Sequence, residues 1–300
     1  MKFNRWGDPP LEPITVEQKT IGRSHKYIVE GVNDEIDGVL MPSVTGILGR
    51  IDGTATTPIS RWAVKHAVQH WADFIDEAKS ITEIRLSKDK LIKESKASPN
   101  RIFKEAGNRG TRIHEAVGRY LTAWSEPLDS EAHWSKPLDL DVDNYDKLHA
   151  CFSKIKNWID TVGFQIVAIE MPVFSDVMRV GGTVDMLLWD GEDRVIVADF
   201  KTGSNIYFKD GLQVAAYIAS VARMANLNVE LWDDFHNAIS VRPTDIAIGG
   251  TVIHINEKKE EVNMHHLKEF LLNAPIFHSA MTLYYAQEVN NDMKFEVQSI

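Results

Sequence analysis

Asp185, Asp199 and Lys201 are the residues of this sequence whose types and spacing most plainly suit chemistry. Asp199 and Lys201 stand two apart in RVIVADFKT, and on a strand that spacing sends both side chains to one face. Asp185 lies in the preceding strand-like run VGGTVDMLLW, and Asp190-Gly191-Glu192-Asp193 reads as a hairpin connection that returns the chain beside it. Asp-x-Lys alone would suit a solvated pair on a surface strand. Here the apolar run Val195 to Ala198 leads into Asp199, which predicts a central strand, and Thr202-Gly203 ends that strand where a site would open. Burying an unpaired carboxylate is costly, and two close together call for a cation between them. Mg²⁺ or Mn²⁺, as one or two ions, favours such oxygen ligands, with water and phosphate filling the remaining positions.

Competing motifs are incomplete. His66 and His70 have the i, i+4 spacing of a zinc pair, but Ala67 occupies the place of the catalytic glutamate. Asp139, Asp141 and Asp143 imitate the start of a calcium loop, yet Asn144 replaces its turn glycine and Ala150 its bidentate glutamate. His265-His266 reads as surface helix. No phosphate-binding GxxxxGK(S/T) loop is present, so ATP-driven movement along a substrate would have to come from another protein. The single cysteine, Cys151, allows no internal disulfide, no structural zinc of the cysteine type and no iron–sulfur cluster.

The elements that must position these residues follow from periodicity. Lys26 to Gly31 and Gly38 to Met41 are short β-like runs joined through Asn33 to Gly38, so residues 1 to 57 form a small β-rich start. From Pro58, the spacing of Ile59, Trp62, Ala63, Ala67, Trp71 and Phe74 predicts a helix. Ser98-Pro99-Asn100 predicts a break, after which Ile113, Ala116, Val117, Tyr120 and Leu121 mark the face of a second helix, with interruptions expected at Gly107 and Gly110. Residues 124 to 143 read as an exposed loop, and the helix NYDKLHACFSKIKNWIDTV closes at Gly163. Three strand-like runs then follow (QIVAIEMPVFS, VGGTVDMLLWD, RVIVADFKT), with a helix near Asp210 to Met224, a strand DIAIGGTVIHIN and helical stretches to about Gln287. This order predicts a mixed α/β core whose strands meet as hairpins, unlike a doubly wound dinucleotide fold.

Composition sets the outer limits. Of 300 residues, 44% are apolar and 25% charged, which is ordinary globular usage and excludes disordered, collagen-like and coiled-coil chains. No apolar stretch is long enough to span a membrane, and MKFNRWGDPP lacks a signal-peptide core, so a cytoplasmic protein without a membrane partner is expected. The net charge of −10 argues against a nucleic-acid partner until its distribution is considered. Residues 79 to 112 hold ten basic and four acidic residues, a net +6, which leaves −16 on the remainder. A basic segment on an acidic body suits a phosphate track beside an acidic metal centre.

Four motifs in order carry a resemblance to the PD-(D/E)XK nuclease superfamily, in particular its RecB-type and phage exonuclease branch. They are Gly110-Thr111-Arg112-Ile113-His114, Gly182-Thr183-Val184-Asp185, Asp199-Phe200-Lys201 and Gln213-Val214-Ala215-Ala216-Tyr217, spread over roughly residues 107 to 220. Pro42-Ser43-Val44-Thr45 is similar to the N-terminal region of phage members. The resemblance implies a restriction-endonuclease-like core: a mixed central sheet flanked by helices, with an N-terminal β-hairpin and helical extension. It divides the chain into a partly basic region where DNA enters, residues 1–106, and a nuclease core with C-terminal helices, residues 107–300. It implies that Asp185, Asp199, His114 and the Phe200 carbonyl hold Mg²⁺ or Mn²⁺, and that Lys201 orients water and stabilises transition-state charge. Glu170, on the strand before Asp185, resembles an acidic residue that some members add, but its face depends on register. Gln213 and Tyr217 share a helical face and, with Thr111, Arg109 and Arg112, would meet the site or the DNA backbone.

The function implied is a metal-dependent DNA exonuclease acting on single strands or duplex ends in phage-type recombination or DNA breakdown, in host cytoplasm if phage-encoded. Trp62 or Trp71 could then stack bases beside residues 79 to 112. Two alternatives use the same core: a structure-specific or nicking endonuclease, and a catalytically silent DNA-binding recombination scaffold. Relatives with an iron–sulfur cluster are excluded by the single cysteine.

Overall fold

A computed structural model describes residues 2–3, 14–22, 24–52, 56–78, 80, 82–83, 87–125, 145–227, 247–267, 275–282 and 284–285. They fall into two compact units, one made of residues 1–50 with 114–300 and the other of residues 51–113. The division expected at 106/107 followed motif and charge, whereas these units follow packing, and the β-rich start packs with the larger unit.

The larger unit holds two sheets. The first is an antiparallel meander, β1 (Lys2–Phe3), β2 (Ile14–Ile21), β3 (Ser24–Glu30) and β4 (Leu40–Pro42). The Asp37 carboxylate closes the connection from β3 to β4 by accepting from the backbone N–H groups of Gly31, Val32 and Asn33. Helix α1 (Val44–Asp52) follows, with the Ser43 hydroxyl accepting from Gly46 N–H at 3.0 Å as its N-cap.

The second sheet has the order β5 (Gln165–Ser175), β6 (Val180–Trp189), β7 (Arg194–Lys201), β8 (Ala247–Asn256) and β9 (Glu261–His266). It is mixed: β7 and β8 run parallel and every other neighbouring pair is antiparallel. Strand β7 is apolar from Val195 to Ala198 because it is central. The Glu261–His266 segment is a strand, which corrects the helix expected at His265-His266. Its residues alternate in exposure and pair with β8 from Thr251↔His266 to Asn256↔Glu261, so edge pairing outweighs a sequence that is neutral between the two structures. Beyond it, residues 275–282 are helical.

Three further helices are numbered in chain order: α2 (Thr56–Glu77), α3 (Lys88–Ser125) and α4 (Tyr145–Val162). Helix α3 runs through Pro99, Gly107 and Gly110, correcting the break and the interruptions expected there. Leu91, Ser95 and Ser98 are buried at helical spacing, and Ser95 Oγ is 3.0 Å from His70 Nδ1 of α2, so tertiary contact overrides the proline. Ile113, Ala116, Val117, Tyr120 and Leu121 are buried, as the expected face requires. Gly163 ends α4 with φ 72°. The expected loop at 124–143, with Asp139, Asp141 and Asp143, lies almost wholly outside the described residues. No described helix is long and apolar enough to cross a membrane.

The last helix to be named, α5 (Phe208–Asn226), lies between β7 and β8 in the chain and packs on the sheet. Its close approach needs Gly250: a Cβ there would stand 2.3 Å from Val214 Cγ1 and 2.7 Å from Ile218 Cδ1. A mixed sheet flanked by helices is the fold expected from the sequence, with β9 as its added fifth strand.

Candidate metal centre

Strands β6 and β7 pair up to Met186↔Ala198 and then part. At the parting, Asp185 turns inward and its Oδ2 accepts a 2.6 Å hydrogen bond from Phe200 N–H, so a side chain takes over where the backbone ladder ends. Asp199 is buried, at 1% exposure, and its Oδ2 pairs with Lys201 Nζ on the same strand face. A charged pair at this depth is costly to desolvate, and removing either partner would leave an uncompensated buried charge.

Helix α3 supplies His114, some seventy positions earlier in the chain. Its Nδ1 lies 3.5 Å from Asp185 Oδ2, and its ring meets Phe200 edge-on with centroids 6.1 Å apart. Strand β5 supplies Glu170. The register Ile169↔Met186 and Met171↔Val184 sets Glu170 directly across from Asp185, which settles the face that sequence left open. Glu170 adopts φ 51°, a left-handed backbone that costs a non-glycine residue about 1–3 kcal/mol. One donor atom from each of His114, Glu170 and Asp185 lies within 4.8 Å of the others.

The electrostatics follow from this crowding. Burial holds the Asp199 carboxyl above its ordinary range, with Lys201 opposing and Asp185 adding to the shift. Glu170 is exposed, yet partial desolvation by its surroundings, then the charge of Asp185, pushes its carboxyl up to about 7. For His114, burial alone would lower the imidazole, but the hydrogen bond to Asp185 and the charges of Asp185 and Asp199 more than offset it. Lys201 is likewise raised: burial opposes its charge, and Asp199, Asp185 and Asp210 outweigh burial. Excess negative charge around one point, with an imidazole and two carboxylates facing it, fits a divalent cation such as Mg²⁺ or Mn²⁺.

Helix α5 braces the centre. Gln213 Nε2 donates to Asp199 Oδ1 at 2.8 Å and to the Tyr217 hydroxyl at 3.1 Å. The Tyr217 ring covers Gly182, where a Cβ would come within 2.4 Å of Cε1, so the glycine of the Gly182-Thr183-Val184-Asp185 motif makes room for the aromatic of the Gln213–Tyr217 pair. Both residues therefore meet the site through Asp199 and β6. The Phe200 N–H engages Asp185, while its carbonyl belongs to the segment of β7 registered against Ile253 of β8. Arg109, Thr111 and Arg112 precede His114 on α3 within the smaller unit; Thr111 Oγ1 donates to the Gly107 carbonyl at 3.2 Å, and Arg112 is exposed. Glu115 is exposed beside His114.

Three supporting residues were not singled out from sequence. Tyr27 of β3 packs on Gly181 and its hydroxyl lies 2.9 Å from Thr183 Oγ1. Asp210 accepts from Tyr207 N–H at 2.7 Å at the start of α5 and acts on Lys201. His254, paired with Lys201 across β7 and β8, donates from Nε2 to the Gly203 carbonyl at 2.7 Å and so holds the loop after the lysine. Each is an ordinary strand or turn residue until register is known, so none carries a signal in sequence.

An acidic, histidine-containing centre where two central strands part, backed by a buried Asp–Lys pair, defines a metal-dependent phosphodiesterase class of site. The chain matches the family model of the PD-(D/E)XK nuclease superfamily over residues 87–261, more than half its length. It belongs to that superfamily, whose members are generally nucleases that hydrolyse phosphodiester bonds and typically use divalent metals. No curated protein matches the chain.

Proposed function

We propose that the protein is a Mg²⁺- or Mn²⁺-dependent DNA exonuclease of the RecB-type and phage kind, releasing nucleotides from free ends during recombination or DNA breakdown. The observation that carries this reading is the meeting of His114, Glu170 and Asp185 donor atoms within 4.8 Å beside the Asp199–Lys201 pair. Asp185, Asp199, His114 and Glu170 would hold the metal, with the Phe200 carbonyl beside them. A bound divalent ion supplies Lewis-acid activation of the phosphodiester toward attack by water. Lys201, held by Asp199, presents a cation to the charge that builds on the phosphoryl oxygens. Gln213 and Tyr217 keep Asp199 aimed, and the motif at Thr111 to His114 favours an exonuclease over restriction-type relatives. The basic segment 79–112, including Arg109 and Arg112, supplies phosphate contacts.

The test is a time course on end-labelled single- and double-stranded DNA and on covalently closed circles, with Mg²⁺, Mn²⁺ or EDTA, beside Lys201→Ala. Metal-dependent release of short products from ends, lost in the variant while circles survive, is the expected result. Nicked circles would replace the exonuclease with a nicking endonuclease. DNA binding without cleavage under either metal would replace it with a recombination scaffold.

A further inference from the structure

An open pocket of about 590 Å³ adjoins the candidate metal centre and shares Glu170 with it. Its other walls are Thr15, Val16, Glu17 and Gln18 of β2, Pro172 of β5 and Thr183 of β6. The first sheet therefore does more than cover the core: its second strand forms one side of a cleft whose opposite side begins at a candidate metal ligand. Volumes of this order are those of small-molecule sites, and this one is large enough for a single base with its sugar.

The chemistry of the lining selects among the parts of a nucleotide. Among the described lining residues there is no cation, and two carboxylates, Glu17 and Glu170, are present. The two carboxylates disfavour a phosphate, and the nearby cation, Lys19, is already paired with Glu17 at 3.4 Å. Pro172 provides apolar surface for the face of a ring, with the buried Val16 behind the wall. Gln18, Glu17, Thr15 and Thr183 provide an edge of hydrogen-bonding groups in which acceptor oxygens predominate. Thr183 is fixed through the Tyr27 hydroxyl at 2.9 Å, and the Glu17 carboxylate is steadied by Lys19 Nζ at 3.4 Å. Gln18 is exposed and offers its amide oxygen as an acceptor beside the Glu17 carboxylate.

We infer that this pocket receives the nucleobase of the nucleotide adjoining the scissile phosphate, and that Gln18 and Glu17 read its edge in favour of amino-bearing bases over thymine. The inference rests on the nuclease reading above for the position of the scissile phosphate, but the pocket's preference for a base does not depend on cleavage. Adenine and cytosine each present an exocyclic amino donor to the acceptor-rich wall, whereas thymine presents carbonyl acceptors on both sides of its one ring N–H. Because Glu170 belongs to both pocket and centre, a seated base holds the neighbouring phosphodiester next to the metal ligands, which couples base identity to the rate of the step.

Two measurements test this. In EDTA, saturation-transfer NMR with deoxyadenosine, deoxycytidine and thymidine should show at least about threefold stronger transfer to the first two, and the difference should vanish in Gln18→Ala and Glu17→Ala, both at exposed positions that leave the fold intact. Equal transfer to all three nucleosides, or a difference that survives both substitutions, overturns the inference whether or not the protein is a nuclease. With Mg²⁺, stepwise cleavage of an end-labelled strand carrying single thymidine or abasic positions should pause there in the wild type, and the thymidine pause should flatten in the variants. Cleavage without pauses overturns the coupling to rate, while failure to cleave any strand despite base-selective binding overturns the nuclease reading and leaves the pocket assigned.

Discussion

Glu170 is the residue at which geometry and chemistry conflict most openly. Its left-handed backbone and its place opposite Asp185 both oppose folding, and a cation held between the two carboxylates would offset them. Glu170→Gly should therefore raise the stability of the metal-free protein by about 1 kcal/mol while lowering metal-dependent cleavage by tenfold or more, on the order seen when metal-site residues are lost. Thermal unfolding in EDTA beside a cleavage assay checks both arms, and a fall in melting temperature would contradict the strain assigned to this position. Gln213 offers a second test, since it donates to Asp199 while the Tyr217 hydroxyl accepts from Gln213 and the Tyr217 ring covers Gly182. Gln213→Ala should reduce kcat or metal affinity by about 10- to 100-fold. Tyr217→Phe keeps the ring over Gly182 and should stay within a fewfold of wild type; equal losses in the two would show that the hydroxyl acts directly.

At the scale of elements, the turn between β5 and β6 is tied to α5 by a bidentate pair, with Arg223 Nε and Nη2 donating to the two Asp176 oxygens at 2.6 and 2.7 Å. This contact fixes the helix that carries Gln213 against the strands that carry Glu170 and Asp185. The hydrogen bond from Arg223 holds the Asp176 carboxyl below its ordinary value of 3.8, against a smaller opposing effect of burial. Because the folded pKa is depressed, the stabilisation is fully present above the unfolded pKa and is lost as pH falls through the folded one. Asp176→Asn should cost about 1–2 kcal/mol at pH 7, a figure reduced for the partly solvated arginine, and the difference from wild type should shrink below about pH 4. Denaturant titrations at pH 7 and pH 3 measure it; an unchanged difference at both would remove the ion pair as the cause. The same scale explains α3, where burial of Leu91, Ser95 and Ser98 keeps a helix through a proline that sequence reads as a stop.

For the whole molecule the governing quantity is the uneven charge: net +6 on residues 79–112 against −16 elsewhere. In an acidic protein such a segment is the natural place for contacts to DNA phosphates. Lys93, Lys96, Arg101 and Lys104 are exposed on α3. Replacing all four with glutamine should weaken single-strand binding and flatten the dependence of log K on log salt by about 0.7 for each phosphate no longer neutralised. Anisotropy titrations from 50 to 200 mM salt, on the order of the range where counterion release is readily seen, would check it; an unchanged slope would place the DNA-binding surface elsewhere.

The amino-acid order by itself determined the strands β5 to β8, the helix between β7 and β8, and the presence of Asp185, Asp199 and Lys201 on two adjacent strands, because periodicity and short hairpins are local and cheap to read; Asp185 stands in the middle of β6 and not at its end. It also contained His114, Gln213 and Tyr217 as motifs, though with no account of what each touches. Tertiary structure alone decided the face of Glu170, the use of Asp185 to cap the parted strands, the service of Tyr27, Asp210 and His254, and the strand at Glu261–His266. These turn on register and on contacts between residues up to some 150 positions apart, and a one-residue slip in register would reverse every face without altering the local pattern.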